Sequence, residues 1–356
     1  MFLILTQCFP PSVGGIESLM NGLARALVAH GKVVVYADGH AYEGDLTAPF
    51  TVQRFGGFKP WRRRIKASAA TKICRTENIH AIFCDSWKSA ELLPTTSAPI
   101  TVLAHGTEYP IHPSAKKKRR ITDTLNRVSH IFAVSQATSA RVIDCGAPSD
   151  KISIVHPPLE KPTPPTAEES VIAAQLWGDS TPRILTVSRL AARKGVDMAI
   201  AVIAKLSADY PSIKYVIGGT GEEESNLREE VRKLGATKQI IFAGQINNGL
   251  KSALYASADI FLLPAKMCGN DMEGFGISFL EAAYFGLPSV AGTSGGTAES
   301  VEDGKTGLHC DGDDINSVYS TLSRLLKNEN LRDRLAVAAA IKGQSELWKN
   351  RITDFL

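Results

Sequence analysis

The sequence has little that would build a disulfide framework or hold a metal. Its six cysteines, Cys8, Cys74, Cys84, Cys145, Cys268 and Cys310, are scattered through 356 residues, and no pair has metal-ligand or C-x-x-C spacing. Reduced thiols and a cytoplasmic location are the expectation. No apolar run reaches the ~20 residues that span a bilayer. The apolar start, Phe2 to Leu5, is cut short by Gln7 and Pro10-Pro11 and has neither a basic leader nor a small-residue cleavage site. It reads as a strand and not as a signal peptide. The loop that follows ends in Gly14-Gly15 without G-x-G-x-x-G or its acidic companion, which argues against an NAD-dependent dehydrogenase. The D-x-D at Asp311-Gly312-Asp313 lies in a late turn far from the other motifs, so it reads as a turn and no metal is expected. A nucleic-acid motif is absent, and the net charge of +4 is small, so nucleic acid is not an expected partner.

The small net charge hides an asymmetry. Residues 1–160 carry 19 Lys+Arg against 12 Asp+Glu, and the remainder carries 21 against 24. A basic half points to an anionic partner, either a membrane surface or a polyanion. Two runs concentrate this charge. Lys59 to Lys66 reads KPWRRRIK, joining Trp61 to Arg62, Arg63 and Arg64, and Lys116, Lys117 and Lys118 open KKKRR. Each run alone fits a solvated helix face. Together, with Trp61 suited to a water–lipid interface, they favour contact with anionic lipid or a phosphorylated acceptor. Residues 157–168, PPLEKPTPPTAE, hold five prolines and cannot build a core element, which places a domain boundary there. The expected domains are 1–160 and 161–342.

The richest stretch is 267–301, MCGNDMEGFGISFLEAAYFGLPSVAGTSGGTAESV. Buried-strand patterns, Ile260 to Pro264 and Leu287 to Ala291, flank a Gly-rich turn and a helix. Strand, turn, helix and strand form a βαβ unit whose turn lies at the carboxyl end of the sheet, where ligands bind in open α/β folds. Such a turn presents free backbone N–H groups and the positive end of the helix dipole. Glu273 sits in the turn and Glu281 in the helix, where it can accept hydrogen bonds from a diol such as a ribose. Arg183 to Ser188 reads as another strand, and the cations of Arg189-Leu190-Ala191-Ala192-Arg193-Lys194-Gly195 follow it, as a phosphate would require. Gly219, in the Gly-rich turn after Lys214 to Gly218, either touches a nucleotide or reverses the chain. His105 closes the strand Ile100 to Ala104 in His105-Gly106-Thr107-Glu108.

The E-x7-E stretch closely resembles the signature of retaining GT-B glycosyltransferases of family four. The matching residues are Glu273, Gly274, Phe275, Gly276, Glu281, Gly286, Pro288, Gly295, Gly296 and Glu299. Met272 through Gly296 resembles the phosphatidylinositol-mannoside-type α-mannosyltransferases in particular. Pro10-Pro11-x-x-Gly14-Gly15-Ile16-Glu17 and Ser188-Arg189-Leu190 with Lys194-Gly195 match further family patterns. The resemblance implies two Rossmann-like α/β domains facing across a cleft, with a C-terminal helix at about 343–356 returning to the first. It implies retaining transfer of a hexose from a nucleotide diphosphate sugar, without a metal. Mannose from GDP-mannose is the first expectation and UDP-glucose, UDP-GlcNAc or UDP-galactose the alternative. The acceptor would be lipid-linked or a polysaccharide precursor, and the enzyme would sit in the cytoplasm or peripherally on the inner membrane face.

By the same resemblance Glu273 and the backbone of Gly274, Phe275, Gly276 and Ile277 hold the donor sugar, and Glu281 holds the ribose. Gly14 and Gly15 lie against the diphosphate, which Arg189 and Lys194 bind. His105 is a donor-sugar ligand or transition-state stabiliser. Two other classes remain open on the residues alone: a nucleotide-sugar epimerase on the same fold, and a catalytically silent sugar-nucleotide binding module.

Overall fold

Short apolar, β-branched runs alternate with amphipathic stretches along the chain, the pattern of parallel sheets covered on both faces by helices. The computed structural model describes all of Met1–Leu356. The chain begins β1 (Phe2–Thr6), α1 (Gly15–Leu27), β2 (Val33–Asp38), β3 (Thr51–Phe55), α2 (Lys59–Thr76), β4 (Ala81–Cys84), α3 (Trp87–Ala90), β5 (Ile100–Ala104), α4 (Ala115–Arg127), β6 (His130–Ala133), α5 (Gln136–Asp144) and β7 (Ile152–Ile154). It continues with α6 (Ala167–Trp177), β8 (Arg183–Val187), α7 (Val196–Leu206), β9 (Lys214–Gly218), α8 (Glu224–Lys233), β10 (Ile240–Gly244), α9 (Asn248–Ser257), β11 (Ile260–Leu263), α10 (Ile277–Tyr284), β12 (Ser289–Gly292), α11 (Thr297–Ser300), β13 (Gly307–Cys310), α12 (Ile315–Lys327), α13 (Glu329–Ser345) and α14 (Trp348–Arg351).

Met1–Glu160 with Trp348–Leu356 forms one unit and Lys161–Leu347 the other. The first holds a seven-stranded sheet in the order β3-β2-β1-β4-β5-β6-β7, and the second a six-stranded sheet in the order β10-β9-β8-β11-β12-β13. Every pairing is parallel. The strand order therefore reverses between β1 and β4 in one unit and between β8 and β11 in the other. These reversals open crevices beyond the carboxyl ends of the strands, the usual ligand position in a doubly wound sheet. Both units are Rossmann-like, as the GT-B resemblance implies.

The boundary between units falls inside the proline-rich stretch. That stretch ends sooner than its composition suggests, because Thr166 and Glu169 form a reciprocal capping box and start α6 directly after the prolines. The C-terminal segment also differs from a single helix over 343–356. Helix α13 runs on to Ser345 in the second unit, and only α14 and the turn Ile352–Phe355 belong to the first. Trp348 anchors this tail. Its backbone N–H donates to the Leu159 carbonyl at 3.1 Å, and its ring lies 5.1 Å from that of Phe355. The ring rests on Gly22 of α1, where any Cβ would overlap the indole. Gly22 thus costs some helix propensity but admits the tail.

Candidate functional site

In the second unit the turns after β8 and β11, at the strand-order reversal, are locked together. The Lys266 N–H donates to the Arg193 carbonyl at 2.8 Å. Gly195 has φ 66 and backs onto the Pro264 carbonyl so closely that a Cβ would collide with it. A residue other than glycine would be both strained and obstructed there. The Gly296 N–H donates to the Glu273 carbonyl at 2.9 Å, bracing the Glu273 turn from its other side.

Two expected residues meet in this frame. Lys194 and Glu273 are 7% and 8% exposed, and Lys194 Nζ lies 2.5 Å from Glu273 Oε2. The attraction of the two charges is the main part of this contact. Arg193 Nε approaches the same oxygen at 3.6 Å, and its NH1 reaches Asp271 at 3.2 Å. Burial pushes the Glu273 carboxyl up, but Lys194 first and Arg193 second outweigh it and hold the group below its ordinary value. The pattern marks Arg193 only as a neighbour of Lys194; its reach to Glu273 and Asp271 depends on chain 80 residues away and was missed. Arg189 does not join the cluster. Its side chain is 71% exposed and pairs with Glu222 at 3.1 Å.

Glu281 occupies the second turn of α10, whose N-cap is Gly276. Its carboxylate accepts from Lys251 Nζ at 2.5 Å and from the Tyr255 hydroxyl at 3.1 Å. Burial, and then Glu281, push the Tyr255 phenol well above its ordinary value, so it stays a hydrogen-bond donor. Lys251 and Tyr255 were not singled out by sequence, although their spacing of four on α9 puts both on one helix face. Phe275 is buried, so its side chain belongs to the core and only its backbone faces the turn; Gly274 and Ile277 are partly exposed beside it. Gly219 donates its N–H to the Gly244 carbonyl at 2.7 Å and packs on Ser188, next to Arg189. Asp311 and Asp313 form a turn in which the Asp311 carboxylate accepts the Asp313 N–H at 3.0 Å.

In the first unit Gly14 caps α1 and Gly15 begins it. A buried carboxylate that sequence did not mark sets the start of this loop. Asp85, after β4, accepts from the Gln7 N–H at 2.6 Å, the Thr6 hydroxyl at 3.0 Å and the Ser89 hydroxyl at 2.6 Å. His105 is partly buried, and its Nε2 is buried without a hydrogen-bond partner. Its backbone N–H donates to the Glu108 carboxylate at 2.7 Å, so Glu108 is bent back onto the loop and braces His105.

The two basic runs lie on α2 and α4, and the structure divides them. Arg62 turns inward to Asp38 at 2.9 Å, beside buried Lys66, whose Nζ reaches Asp38 at 2.7 Å. Arg63 pairs with Glu91 at 2.5 Å. Arg62 and Arg63 are therefore not part of an open basic face, because carboxylates on neighbouring elements draw them in. Arg64 remains exposed, as do Lys116 and Lys118, while Lys117 is partly buried. Trp61 is exposed together with Ile65, four residues on and on the same face of α2, and with Phe58 at the N-cap of that helix. No helix of the structure is long and apolar enough to cross a membrane.

Residues 13–160 match the model for Glycosyltransferase Family 4, and residues 168–342 match the model for Glycosyl transferases group 1. Similar curated proteins include the GDP-mannose-dependent monoacylated alpha-(1-6)-phosphatidylinositol monomannoside mannosyltransferase of Corynebacterium glutamicum. It is 29% identical over 99% of this chain and 97% of its own length. The GDP-mannose-dependent alpha-(1-6)-phosphatidylinositol monomannoside mannosyltransferase of Mycolicibacterium smegmatis is also 29% identical, over 94% of this chain and 92% of its own. Among solved structures, Anabaena HepE in complex with UDP aligns with TM-score 0.82 and 19% identity over 99% of this chain and 98% of that one. Between them the two models take in most of the sequence, and the chain belongs to the family 4 glycosyltransferases of the GT-B fold.

Proposed function

We propose that the protein is a retaining hexosyltransferase that moves mannose from GDP-mannose to a lipid-linked or polysaccharide-precursor acceptor and forms an α-glycosidic bond. The Lys194–Glu273–Arg193 cluster at the strand-order reversal of the second sheet carries this reading. In such a transfer, negative charge builds on the departing diphosphate. Cations already fixed in place stabilise that charge without reorganising, which is usually the largest catalytic term. Lys194 is fixed by Glu273, and Arg193 by Glu273 and Asp271. Arg189, exposed and held by a likewise exposed Glu222, would turn from that pair onto a diphosphate. The free N–H groups at the start of α10 add a positive helix end to the same turn. Glu273 orders these cations and accepts hydroxyls of the sugar, and Glu281, primed by Lys251 and Tyr255, accepts the ribose diol. In the first unit, Gly14 and Gly15 approach the diphosphate by their backbone. His105 offers its unpartnered Nε2 to the donor sugar. The charge is met by side chains and a helix terminus, so the reaction runs without a metal ion or other cofactor.

GDP-mannose is favoured by the names of the two mannosyltransferase relatives. A UDP-sugar donor is the second reading, favoured by the likeness to a protein solved with UDP-glucose. The exposed Phe58, Trp61 and Ile65 beside Lys59 and Arg64 support peripheral attachment to an anionic membrane at the cytoplasmic face. A nucleotide-sugar panel tests the donor. GDP-mannose should raise the melting temperature more than UDP-glucose, UDP-GlcNAc or UDP-galactose at equal concentration. Equal or greater stabilisation by a UDP-sugar rejects the mannose assignment, and no stabilisation by any of them rejects the transferase reading.

A further inference from the structure

The two basic runs, separated by 49 residues of chain, converge on one pocket. It has a volume of ≈ 290 Å³ and is lined by Lys59 and Arg63 of α2, Trp87 and Lys88 after β4, and Ser114, Lys116, Lys117 and Arg120 at the start of α4. Its floor is Trp87, 1% exposed, with the Arg120 guanidinium 5.3 Å and the Lys88 ammonium 5.9 Å from the ring centroid. Six cations line the pocket. The carboxylate of Glu91 bridges two of them, Arg63 and Arg120, at 2.5 Å each, and fixes their guanidinium groups. Lys59, Lys88, Lys116 and Lys117 form no ion pair. Arg63 also keeps a buried Nε without a hydrogen-bond partner.

The backbone adds to the charge. Helices α2 and α4, of 18 and 13 residues, both begin at the pocket, with Lys59 in the first turn of one and Lys116 and Lys117 in the first turn of the other. Their dipoles favour an anion there, whereas cations in a first turn are disfavoured unless something negative joins them. The cost is visible at Lys88. Burial, and then Lys59 and Lys117, hold its ammonium below the ordinary lysine value. Six cations around one pocket, three of them in the first turns of two helices and only two of them offset by Glu91, make a poor resting surface and a good anion site. The volume is at the small end of the ~300–1,000 Å³ typical of small-molecule pockets, too small for a whole nucleotide sugar and ample for one phosphate ester.

We propose that this pocket binds a phosphate monoester or diester group carried by the acceptor, and so selects phosphorylated acceptors. The proposal rests on the transferase reading above and deepens it. Arg63 and Arg120, whose guanidinium groups are held by Glu91, supply fixed positive charge in the wall of the pocket, while the ion-pair-free Lys88 and Lys117 close on the phosphate as point charges.

Calorimetric titration of the whole chain with sn-glycerol 3-phosphate, and with glycerol as the neutral control, tests it. The phosphate ester should bind and glycerol should not. In the Lys88→Gln/Lys117→Gln double variant, affinity should fall about tenfold or more, the size expected for losing two charge-assisted contacts. It should be unchanged in Arg189→Ala, which removes a cation of the second unit. The reverse pattern, loss in Arg189→Ala and none in the double variant, overturns the proposal, and so does equal binding of glycerol. If the double variant fails to fold, the exposed pair Lys59→Gln/Lys116→Gln should weaken binding in the same direction, and unaltered affinity there rejects the pocket.

A vesicle arm separates the sources of the phosphate. Loss of binding to phosphatidylglycerol vesicles along with the soluble ester assigns the pocket to a lipid headgroup. Loss of the ester alone assigns it to a soluble phosphate ester. The nucleotide-sugar panel keeps the two claims apart, since stabilisation by a donor without binding of the ester removes the pocket and leaves the transferase reading intact.

Discussion

Replacing Lys194 by Met keeps the volume of the side chain but removes the charge facing Glu273. Glu273 is buried, and Lys194 Nζ at 2.5 Å is its nearest cation, with Arg193 farther off at 3.6 Å. Breaking a buried ion pair by removing one member costs about 3–5 kcal/mol, because the other charge is left without compensation. Arg193 remains as a partial partner, so the loss should lie at the low end, about 3 kcal/mol. The penalty depends on pH with a definite sign. In the native protein Glu273 titrates below its ordinary value, so its contribution to stability is present above the unfolded carboxyl value and is lost as pH falls through the lowered one. In the variant burial dominates and the carboxyl titrates above its ordinary value. Protonation then relieves the strain, and stability is lost as pH rises past about 4.3, the unfolded value. The gap between variant and wild type should therefore be small near pH 4.3 and widen toward neutrality. Urea unfolding of both proteins across that range measures it. Adding Glu273→Gln to Lys194→Met should recover part of the loss, because the uncompensated charge is gone. A gap below about 1 kcal/mol at neutral pH, or one that does not change with pH, would refute the buried-pair argument.

Glu281→Gln keeps the shape of the side chain and weakens its hold on a ribose diol, so KM for the donor should rise about tenfold with a smaller change in kcat; steady-state kinetics with varied donor checks it, and an unaltered KM removes Glu281 from the nucleotide site. Turnover should survive excess EDTA, and activity that vanishes and returns only with Mg²⁺ or Mn²⁺ would contradict the assignment of charge stabilisation to Lys194, Arg193 and Arg189. Pelleting with anionic liposomes should fall steeply as salt rises, since surface charges are screened beyond ~8 Å at physiological ionic strength. Trp61→Ser should weaken the pelleting, and equal binding to neutral liposomes would reject the membrane surface.

Much of the scaffold was legible because it is local. The apolar run Lys214 to Gly218 coincides with β9, and the runs at Ile260 and Leu287 lie within a residue or two of β11 and β12. Strand β3 was not read, since Thr51–Phe55 is a sheet-edge strand with an alternating, largely exposed pattern. Helix α6 was hidden by the prolines before it, although its Thr166-x-x-Glu169 signature stands in the sequence. The placement of the motif glycines, Glu273, Glu281 and Lys194 around the carboxyl end of the second sheet was legible because the segments that carry them are short and contiguous. Asp85, Lys66, Lys251 and the Arg193–Glu273 contact could not, because each depends on chains brought together from far along the sequence. The basic runs show the same limit. Charge density was visible, but which cations pair inward with Asp38 and Glu91 and which face a pocket is decided by α2, α3 and α4 packing together.

The proposed reaction is retaining transfer from a nucleotide diphosphate sugar. The most direct test is NMR of the purified product, reading the one-bond carbon–hydrogen coupling at the new anomeric centre. GDP-mannose is α-linked, so retention gives an α linkage in the product. His105→Ala should slow its formation without altering the anomer, because in the proposed mechanism His105 positions the sugar and does not choose the face attacked. A β linkage would contradict the proposed mechanism.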